Sequence, residues 1–159
     1  MFNKLILVFL MIFFSNFIFS QQEYKVYNPK ANAKADLQKA IKAAGDNNKN
    51  VYVQIGGNWC PWCIRLHKYI KNNTVLDSIQ KADYEVIYIN YSKENKNLNI
   101  LKHLGNPQRF GFPVLVILND KGDVLHIQDS GYLEKEKSYD FDKVKRFLIL
   151  WNKKNTNIE

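Results

Sequence analysis

Helix-like and strand-like segments alternate along this chain, and their order is the strongest constraint on its fold. Helical segments have apolar residues three and four positions apart, as at Leu37, Ala40 and Ala44, whereas strand segments are short runs of β-branched and aromatic residues. Strands separated by a helix pair in parallel through a crossover, and strands joined by a tight turn pair antiparallel. The order therefore predicts an α/β fold with a mixed central sheet flanked by helices.

Turn and capping residues set the limits of the predicted elements. The first helix is expected to end at Gly45, and Thr74-Val75-Leu76-Asp77 has the pattern of a capping box that opens a short helix ending near Lys81. The predicted order begins with a helix over 37–44, a strand over 51–55, a helix from the cysteine pair to Ile70, and the short helix. A strand over 84–90 and a helix over 98–104 follow, and then two strands over 112–118 and 124–127 that are joined by a turn at 119–122. The last predicted element is a helix with Val144, Phe147, Leu148 and Trp151 on one face. The polar connections 92–108 and 129–140 are expected to be additional surface structure.

The first twenty residues have the pattern of an export signal. Lys4 precedes an unbroken apolar run from Leu5 to Phe14, and a polar stretch begins at Ser20. This run is much shorter than the roughly 20 residues that a membrane-spanning helix needs. We therefore expect residues 1–20 to be a cleaved signal peptide, with an uncleaved anchor as the alternative, and residues 21–159 to form a single domain. The expected location is periplasmic or otherwise extracytoplasmic.

The positive charge of the chain does not by itself indicate nucleic-acid binding. The formal net charge is +8, but only three of the 23 basic residues are arginine, and the lysines form no basic run. Proteins that read nucleic-acid sequence usually rely on bidentate arginine contacts. No nucleic-acid partner is therefore expected.

The two cysteines, Cys60 and Cys63, have the spacing of a reactive pair. They follow a predicted strand and open a predicted helix, and Pro61 suits the first helical position, where its missing N–H costs nothing. Cys60 is therefore expected at the N-cap, where free backbone N–H groups and the helix dipole lower the pKa of its thiol below the usual value of about 8.5. Cys63 is expected to face the core, from where it can attack a mixed disulfide on Cys60.

Two other interpretations of the cysteine pair stay open at this point. An inert disulfide across so short a loop contributes less than about 2 kcal/mol in the chain-entropy estimate, and stabilising disulfides usually join distant segments. A metal site is the second possibility, because His67 lies four residues after Cys63 on the same helical face. Two thiolates and one imidazole suit copper better than a closed zinc site, which needs a fourth ligand. His103 and His126 are isolated, and no metal ligand is assigned.

Two segments resemble the thioredoxin fold family, in the order in which that family carries them. Gly56-Gly57-Asn58-Trp59-Cys60-Pro61-Trp62-Cys63 after a strand is similar to its active-site segment, and Gly111-Phe112-Pro113-Val114 before a strand is similar to its cis-proline element. The resemblance covers residues 32–152 and is to the exported thioredoxin-like proteins. It implies a thioredoxin-like fold and a thiol–disulfide oxidoreductase that works through a redox-active Cys60–Cys63 disulfide, without a dissociable cofactor.

The resemblance also implies roles for residues around the cysteines. Cys60 would be the attacking nucleophile and Cys63 the resolving thiol, while the backbone of Phe112 would pair with an extended substrate peptide. The expected site residues are Cys60 and Cys63 as the reacting pair, and Trp59, Pro61, Trp62, Phe112 and Pro113 around the substrate.

The expected substrates are disulfides of envelope proteins, which the enzyme would reduce or isomerise. A membrane protein would donate or accept the electrons, and we expect a monomer. Disulfide oxidation is the alternative direction. A copper-binding or chaperone-like module that uses the same groove without turnover is the alternative from a different functional class.

Two positions depart from the usual pattern of the family. Gln54 stands six residues before the first cysteine, where typical thioredoxins carry a buried aspartate that handles a proton for the buried thiol. Tyr88 stands where the lysine partner of that aspartate is usual. Without an ionisable neighbour, Cys63 must lose its proton to water, a backbone group or the substrate, so fast general reductase activity is not expected.

Overall fold

The structure, a computed structural model, describes residues 25–157. The export signal predicted for residues 1–20 lies outside the described residues. The helices are α1 (Ala33–Asn47), α2 (Pro61–Asn72), α3 (Thr74–Asp83), α4 (Leu98–His103), α5 (Phe141–Leu150) and α6 (Lys153–Thr156). The strands are β1 (Asn50–Gly56), β2 (Tyr84–Asn90), β3 (Val114–Leu118), β4 (Val124–Asp129), β5 (Glu134–Lys135) and β6 (Ser138–Tyr139), and 3-10 helices lie at Pro107–Phe110 and Ser130–Leu133.

Four strands form a mixed sheet in the order β2-β1-β3-β4. β1 and β2 are parallel, since α2 and α3 carry the chain back between them, whereas β3 is antiparallel to both β1 and β4. The connection 129–140 holds a second, two-stranded sheet made of β5 and β6. This arrangement confirms the predicted α/β fold with a mixed central sheet flanked by helices.

The two central strands separate two hydrophobic cores. β1 and β3 are buried along their whole length, because helices cover both faces of the sheet. Successive side chains of a strand point to opposite faces. Val53 and Val116 accordingly pack with residues of α1 and α4, whereas Tyr52 and Ile117 pack with residues of α2, α3 and α5. Helices therefore close both faces of the two central strands.

The predicted end of the first helix at Gly45 is wrong. α1 continues to Asn47, and Asn48 takes the left-handed conformation with φ of 54°. The N–H of Asn48 bonds the carbonyl groups of Ala44 and Gly45. Asparagine tolerates this conformation because its side chain is short and polar, so it replaces glycine as the helix stop.

The predicted capping box at Thr74 is also wrong, by one residue. Asn73 is the N-cap of α3, and its side-chain oxygen accepts hydrogen bonds from the N–H groups of Val75 and Leu76. Thr74 is therefore the first residue of the helix, which runs to Asp83. Asparagine is at least as good an N-cap as threonine, so the neighbouring residue takes the role.

Two other predicted elements end or begin differently. The strand predicted over 112–118 begins only at Val114, directly after a proline that has no N–H to donate to a sheet. Trp151 lies just beyond α5 as its C-cap rather than on the helix face. Its ring stacks on His126 of β4, with ring centroids 4.1 Å apart.

Within residues 25–157, no helix is long and apolar enough to cross a membrane.

The buried face of β3 supplies a direct test of this packing. Ile117→Ala removes a fully buried side chain from the core between the sheet and α2, α3 and α5. We expect it to lower the free energy of unfolding by about 2–5 kcal/mol, because the cavity left behind does not fully collapse. Ile149→Ala, at a partly exposed position of α5, is the matched control and should change it by no more than about 1 kcal/mol. Urea unfolding followed by circular dichroism measures both, and equal effects of the two variants would contradict the assignment.

Candidate active site

The cysteine pair and the Phe112–Pro113 segment meet at one edge of the sheet. Cys60 follows the end of β1, and Pro113 directly precedes β3, whose first residue pairs with Ile55. Because β1 and β3 are antiparallel, the end of one strand lies beside the start of the other. The Phe112–Pro113 peptide bond is cis, and the Phe112 carbonyl oxygen lies 3.7 Å from Cys60 Sγ. The structure brings together at this edge all the predicted site residues: Trp59, Cys60, Pro61, Trp62, Cys63, Phe112 and Pro113.

Cys60 is the N-cap of α2, as the sequence predicts. Pro61 is the first helical residue, and Cys60 Sγ accepts a hydrogen bond from the backbone N–H of Cys63 at 3.2 Å. Free N–H groups at a helix N-terminus and the positive end of the helix dipole favour negative charge at this point. The arrangement therefore favours the thiolate form of Cys60 whenever the pair is reduced.

The two sulfur atoms differ in their access to solvent. Cys60 and Cys63 form a disulfide, with Cα atoms 5.3 Å apart. Cys60 is 5% exposed and Cys63 is 0% exposed. Only Cys60 can therefore be approached from outside, while Cys63 lies behind it in the protein interior.

Aromatic side chains form a wall on one side of Cys60. Trp59 is 56% exposed, yet its indole N–H donates to the Tyr91 carbonyl at 2.6 Å, and its ring packs edge-on against Phe112 with centroids 5.7 Å apart. Gly57 makes this possible, because a Cβ there would collide with the indole and lie 2.8 Å from the Tyr91 carbonyl oxygen. Trp59 is thus fixed in place while most of its ring faces solvent.

A cavity of about 590 Å³ opens beside this wall. Trp59 and Tyr91 line it on one side, and residues 92–94 of the connection after β2 line it on the other. Asn90 stabilises this connection by donating to Ser92 Oγ at 3.0 Å and to the Asn95 carbonyl at 2.9 Å. The polar connection 92–108 therefore borders the site, with part of it folded as α4.

Trp62 lies on the other side of the pair and is half-buried. Its ring packs edge-on against Tyr139 with centroids 5.5 Å apart, and the Arg65 guanidinium lies 4.5 Å from the ring centroid. The Tyr139 hydroxyl also donates to the Trp62 carbonyl at 3.2 Å. Since Tyr139 belongs to β6, the connection 129–140 supports this side of the site.

A buried polar cluster lies beneath Cys63. Gln54 is 1% exposed, and its side-chain amide donates to the Tyr27 hydroxyl at 2.7 Å and to the Cys63 carbonyl at 3.0 Å. Tyr27 packs in one cluster with Cys60 and Cys63. The position where the thioredoxin fold family, which the cysteine segment resembles, usually carries an acid thus holds a neutral amide that contacts Cys63 directly.

Asn58 connects the segment before α1 to the cysteine loop. Its side-chain oxygen accepts from the N–H groups of Val26 and Tyr27 at 2.9 and 3.0 Å, and its amide donates to the Tyr27 carbonyl at 2.7 Å. Tyr27 and Asn58 are site residues that the sequence did not predict. Asn58 could have been suspected because it lies within the cysteine segment, whereas the residues around Tyr27 in the sequence give no indication that it contacts this segment.

His67 contacts a tyrosine on β2. Its Nδ1 lies 2.9 Å from the Tyr88 hydroxyl oxygen, and burial, with Lys71 and Lys68 nearby, lowers the pKa of the His67 imidazole. In the described part of the chain, no group of three or more His, Cys, Asp or Glu side chains is placed to hold a metal ion.

Comparisons with known proteins agree with this geometry. A family model described as a thioredoxin-like domain matches residues 37–143. A disulphide isomerase from Xylella fastidiosa Temecula1 is similar in structure, with 25% sequence identity and a TM-score of 0.71 over 79% of this chain and 95% of that chain. A DsbH oxidoreductase shares the fold, with 17% identity and a TM-score of 0.51 over 68% of this chain and 76% of that chain. Among curated proteins, none matches the chain significantly.

Gly56 at the end of β1 supplies a test of how tightly the pair is packed. A Cβ at this position would collide with Cys63 Sγ and lie 3.0 Å from the Tyr27 hydroxyl oxygen. We expect Gly56→Ala to lower the free energy of unfolding by about 1–3 kcal/mol, since a buried disulfide and a buried ring cannot move aside freely. Gly45→Ala within α1 is the control: the nearest atom to its Cβ is 3.9 Å away, and it should be neutral or stabilising by up to about 1 kcal/mol. Urea unfolding of the oxidised proteins measures both, and a Gly56→Ala variant as stable as the natural protein would refute the close approach.

Proposed function

The chain belongs to the thioredoxin-like domain family, and we propose that this thiol–disulfide oxidoreductase is exported and reduces or isomerises disulfides of envelope proteins. The observation that carries the proposal is the asymmetry of the pair: Cys60 caps α2 at the surface, and Cys63 lies buried behind it. The similarity to a disulphide isomerase over most of both chains supports the same activity. Export is inferred from the apolar run between Leu5 and Phe14, which follows Lys4.

The first step of the proposed reaction is attack by Cys60. Its thiolate forms a bond to one sulfur of the substrate disulfide, the substrate S–S bond breaks, and the second substrate sulfur leaves as a thiolate. The N–H of Cys63 and the α2 dipole stabilise the attacking thiolate before the step. The product is a mixed disulfide between Cys60 and the substrate.

The second step decides between reduction and isomerisation. In reduction, the Cys63 thiolate attacks Cys60 Sγ, closes the Cys60–Cys63 disulfide and releases the remaining substrate thiolate, so that two electrons pass to the substrate. In isomerisation, another substrate thiolate attacks the mixed disulfide, forms a new substrate disulfide and releases Cys60 unchanged in oxidation state. Both routes begin at Cys60 and need no dissociable cofactor, but only reduction oxidises the Cys60–Cys63 pair, and it needs a membrane electron donor to restore the dithiol.

Substrate binding is assigned to the residues around Cys60. The Phe112 backbone lies beside the sulfur and would pair with an extended peptide, in the manner of strand addition, with Pro113 fixing the start of β3. Trp59 supplies an exposed ring on one side, and Pro61 and Trp62 supply apolar contacts on the other. These contacts do not select one substrate sequence, and an enzyme that acts on many envelope proteins needs this broad tolerance.

Removal of the resolving thiol tests the assigned order of attack. We expect Cys63→Ala to accumulate a mixed disulfide with a scrambled-disulfide ribonuclease, because Cys60 still attacks but no internal thiol releases the product. The adduct should appear in non-reducing electrophoresis with mass spectrometry and disappear on reduction.

Cys60→Ala is the matched control and should form no adduct, because Cys63 is fully buried. Equal adduct formation by both variants would contradict the roles given to the two cysteines. No adduct with Cys63→Ala would contradict dithiol exchange on protein substrates.

A further inference from the structure

The Tyr27 hydroxyl and Cys63 Sγ both lie close to Gly56, the last residue of β1. Both atoms are within 3.0 Å of the point that a Cβ on Gly56 would occupy. The hydroxyl and the sulfur are therefore neighbours, and glycine places no side chain between them. Tyr27 is 2% exposed and Cys63 is 0% exposed, so little solvent competes for the contact.

Gln54 sets the direction of the Tyr27 hydroxyl. Its amide N–H donates to Tyr27 Oη at 2.7 Å, and a hydroxyl that accepts at its oxygen keeps its own hydrogen for donation. Among the hydrogen bonds within residues 25–157, Tyr27 Oη appears as an acceptor and not as a donor. The same Gln54 amide also donates to the Cys63 carbonyl, and Asn58 fixes the Tyr27 backbone through three hydrogen bonds. The Tyr27 hydroxyl is therefore held in place with its hydrogen available to an acceptor, and Cys63 Sγ is a neighbouring acceptor across Gly56.

Aromatic and amide side chains surround this contact. Tyr88 on β2 packs edge-on against Tyr27 with ring centroids 5.9 Å apart, and Tyr52 Oη lies 3.5 Å from Gln54 Oε1. The hydrophobic side chains packed against the cluster of Tyr27, Cys60 and Cys63 are those of Val26, Trp62, Ile64, Tyr88 and Phe112. The surrounding titratable groups are Tyr88, Tyr52 and Tyr139, and behind Tyr88 lies His67, with Lys68 and Lys71 beyond it.

Tyr27 therefore acts as a donor and not as a base. Burial raises the pKa of Tyr27 far above its usual value, with Tyr88 and Tyr139 adding to the shift, so the hydroxyl stays protonated at any physiological pH. Burial without a compensating charge would by itself disfavour a thiolate on Cys63. A hydrogen bond from a fixed hydroxyl is the compensation that this cluster offers.

We propose that Tyr27 donates a hydrogen bond to the Cys63 thiolate in the resolving step, in place of the buried acid of typical thioredoxins, and that Gln54 is the residue that positions it. The inference rests on the proposed function, because it concerns the second step of dithiol exchange. The proton of the Cys63 thiol goes to water, because an aromatic leaving thiolate such as the one released in the test is too weakly basic to take it. The Cys63 thiolate then attacks Cys60 Sγ and expels the second substrate thiolate, while Tyr27 keeps its proton throughout.

The test uses 5,5′-dithiobis(2-nitrobenzoate) as a disulfide substrate with a coloured leaving thiolate. Attack by Cys60 on this reagent releases one coloured thiolate, and resolution by Cys63 releases the second. Stopped-flow absorbance as a function of pH therefore separates the two steps, and the Cys63→Ala variant calibrates the first.

Tyr27→Phe removes only the hydroxyl. We expect the second release to slow about tenfold at pH 7 and its pH midpoint to rise by about one unit, since a hydrogen bond to a charged group is lost. The first release should stay within about twofold of that of the natural protein, because Cys60 is stabilised by α2. Tyr84→Phe is the matched control: Tyr84 is equally buried, but its hydroxyl donates to the Leu148 carbonyl at 2.6 Å, and both releases should be unchanged.

The outcomes separate the inference from the function on which it rests. An unchanged pH midpoint for the second release in Tyr27→Phe overturns the role of Tyr27, even if the variant is less stable, while leaving dithiol exchange intact. Absence of any release by the reduced natural protein overturns the proposed function, and absence of the second release alone overturns the resolving step that Tyr27 is proposed to assist. If Tyr27→Phe does not fold, Gln54→Met replaces it: a midpoint raised in the same direction supports the role, and an unchanged midpoint overturns it.

Discussion

The hydrogen bond from the Cys63 N–H to Cys60 Sγ places the reacting sulfur at the N-terminus of α2. A helix N-terminus favours a negative charge on the group that caps it, so the same contact both orients the sulfur and favours its reactive form. Pro61 begins the helix without sacrificing a hydrogen bond. The sheet then brings the Phe112 carbonyl to the same sulfur, because the start of β3 lies beside the end of β1.

Beneath this cap, the protein uses neutral polar groups where a charged pair is usual in the family. Gln54 and Tyr27 bond each other next to Cys63, and Asn58 ties the segment that carries Tyr27 to the cysteine loop. A neutral network avoids the cost of burying a carboxylate and a lysine in the core. Such a network cannot take up a proton from Cys63, so the stabilisation of the thiolate has to come from hydrogen bonding. Different groups therefore stabilise the two thiolates: the N-terminus of α2 stabilises Cys60, and the Tyr27 hydroxyl stabilises Cys63.

Patterns within short stretches of sequence predicted the fold and the reacting pair. Short runs of β-branched and aromatic residues located the four strands of the main sheet, and the spacing of Cys60, Pro61 and Cys63 placed the first cysteine at a helix N-cap. Helix ends were harder to predict, because neighbouring residues compete for the same cap, as Asn73 does with Thr74. The contact of Tyr27 with the site could not be predicted, since it depends on a side chain more than thirty positions away and on a segment without periodicity.

The reduction potential of the Cys60–Cys63 disulfide shows whether the pair reduces or rearranges substrate disulfides or instead forms them. Equilibration of the protein with glutathione buffers of known ratio, followed by alkylation and mass spectrometry, measures this potential. We expect a value between about −270 mV, as in thioredoxin, and about −180 mV, as in protein disulfide isomerase. A value of about −120 mV, as in the oxidase DsbA, would contradict it and assign the pair to disulfide formation.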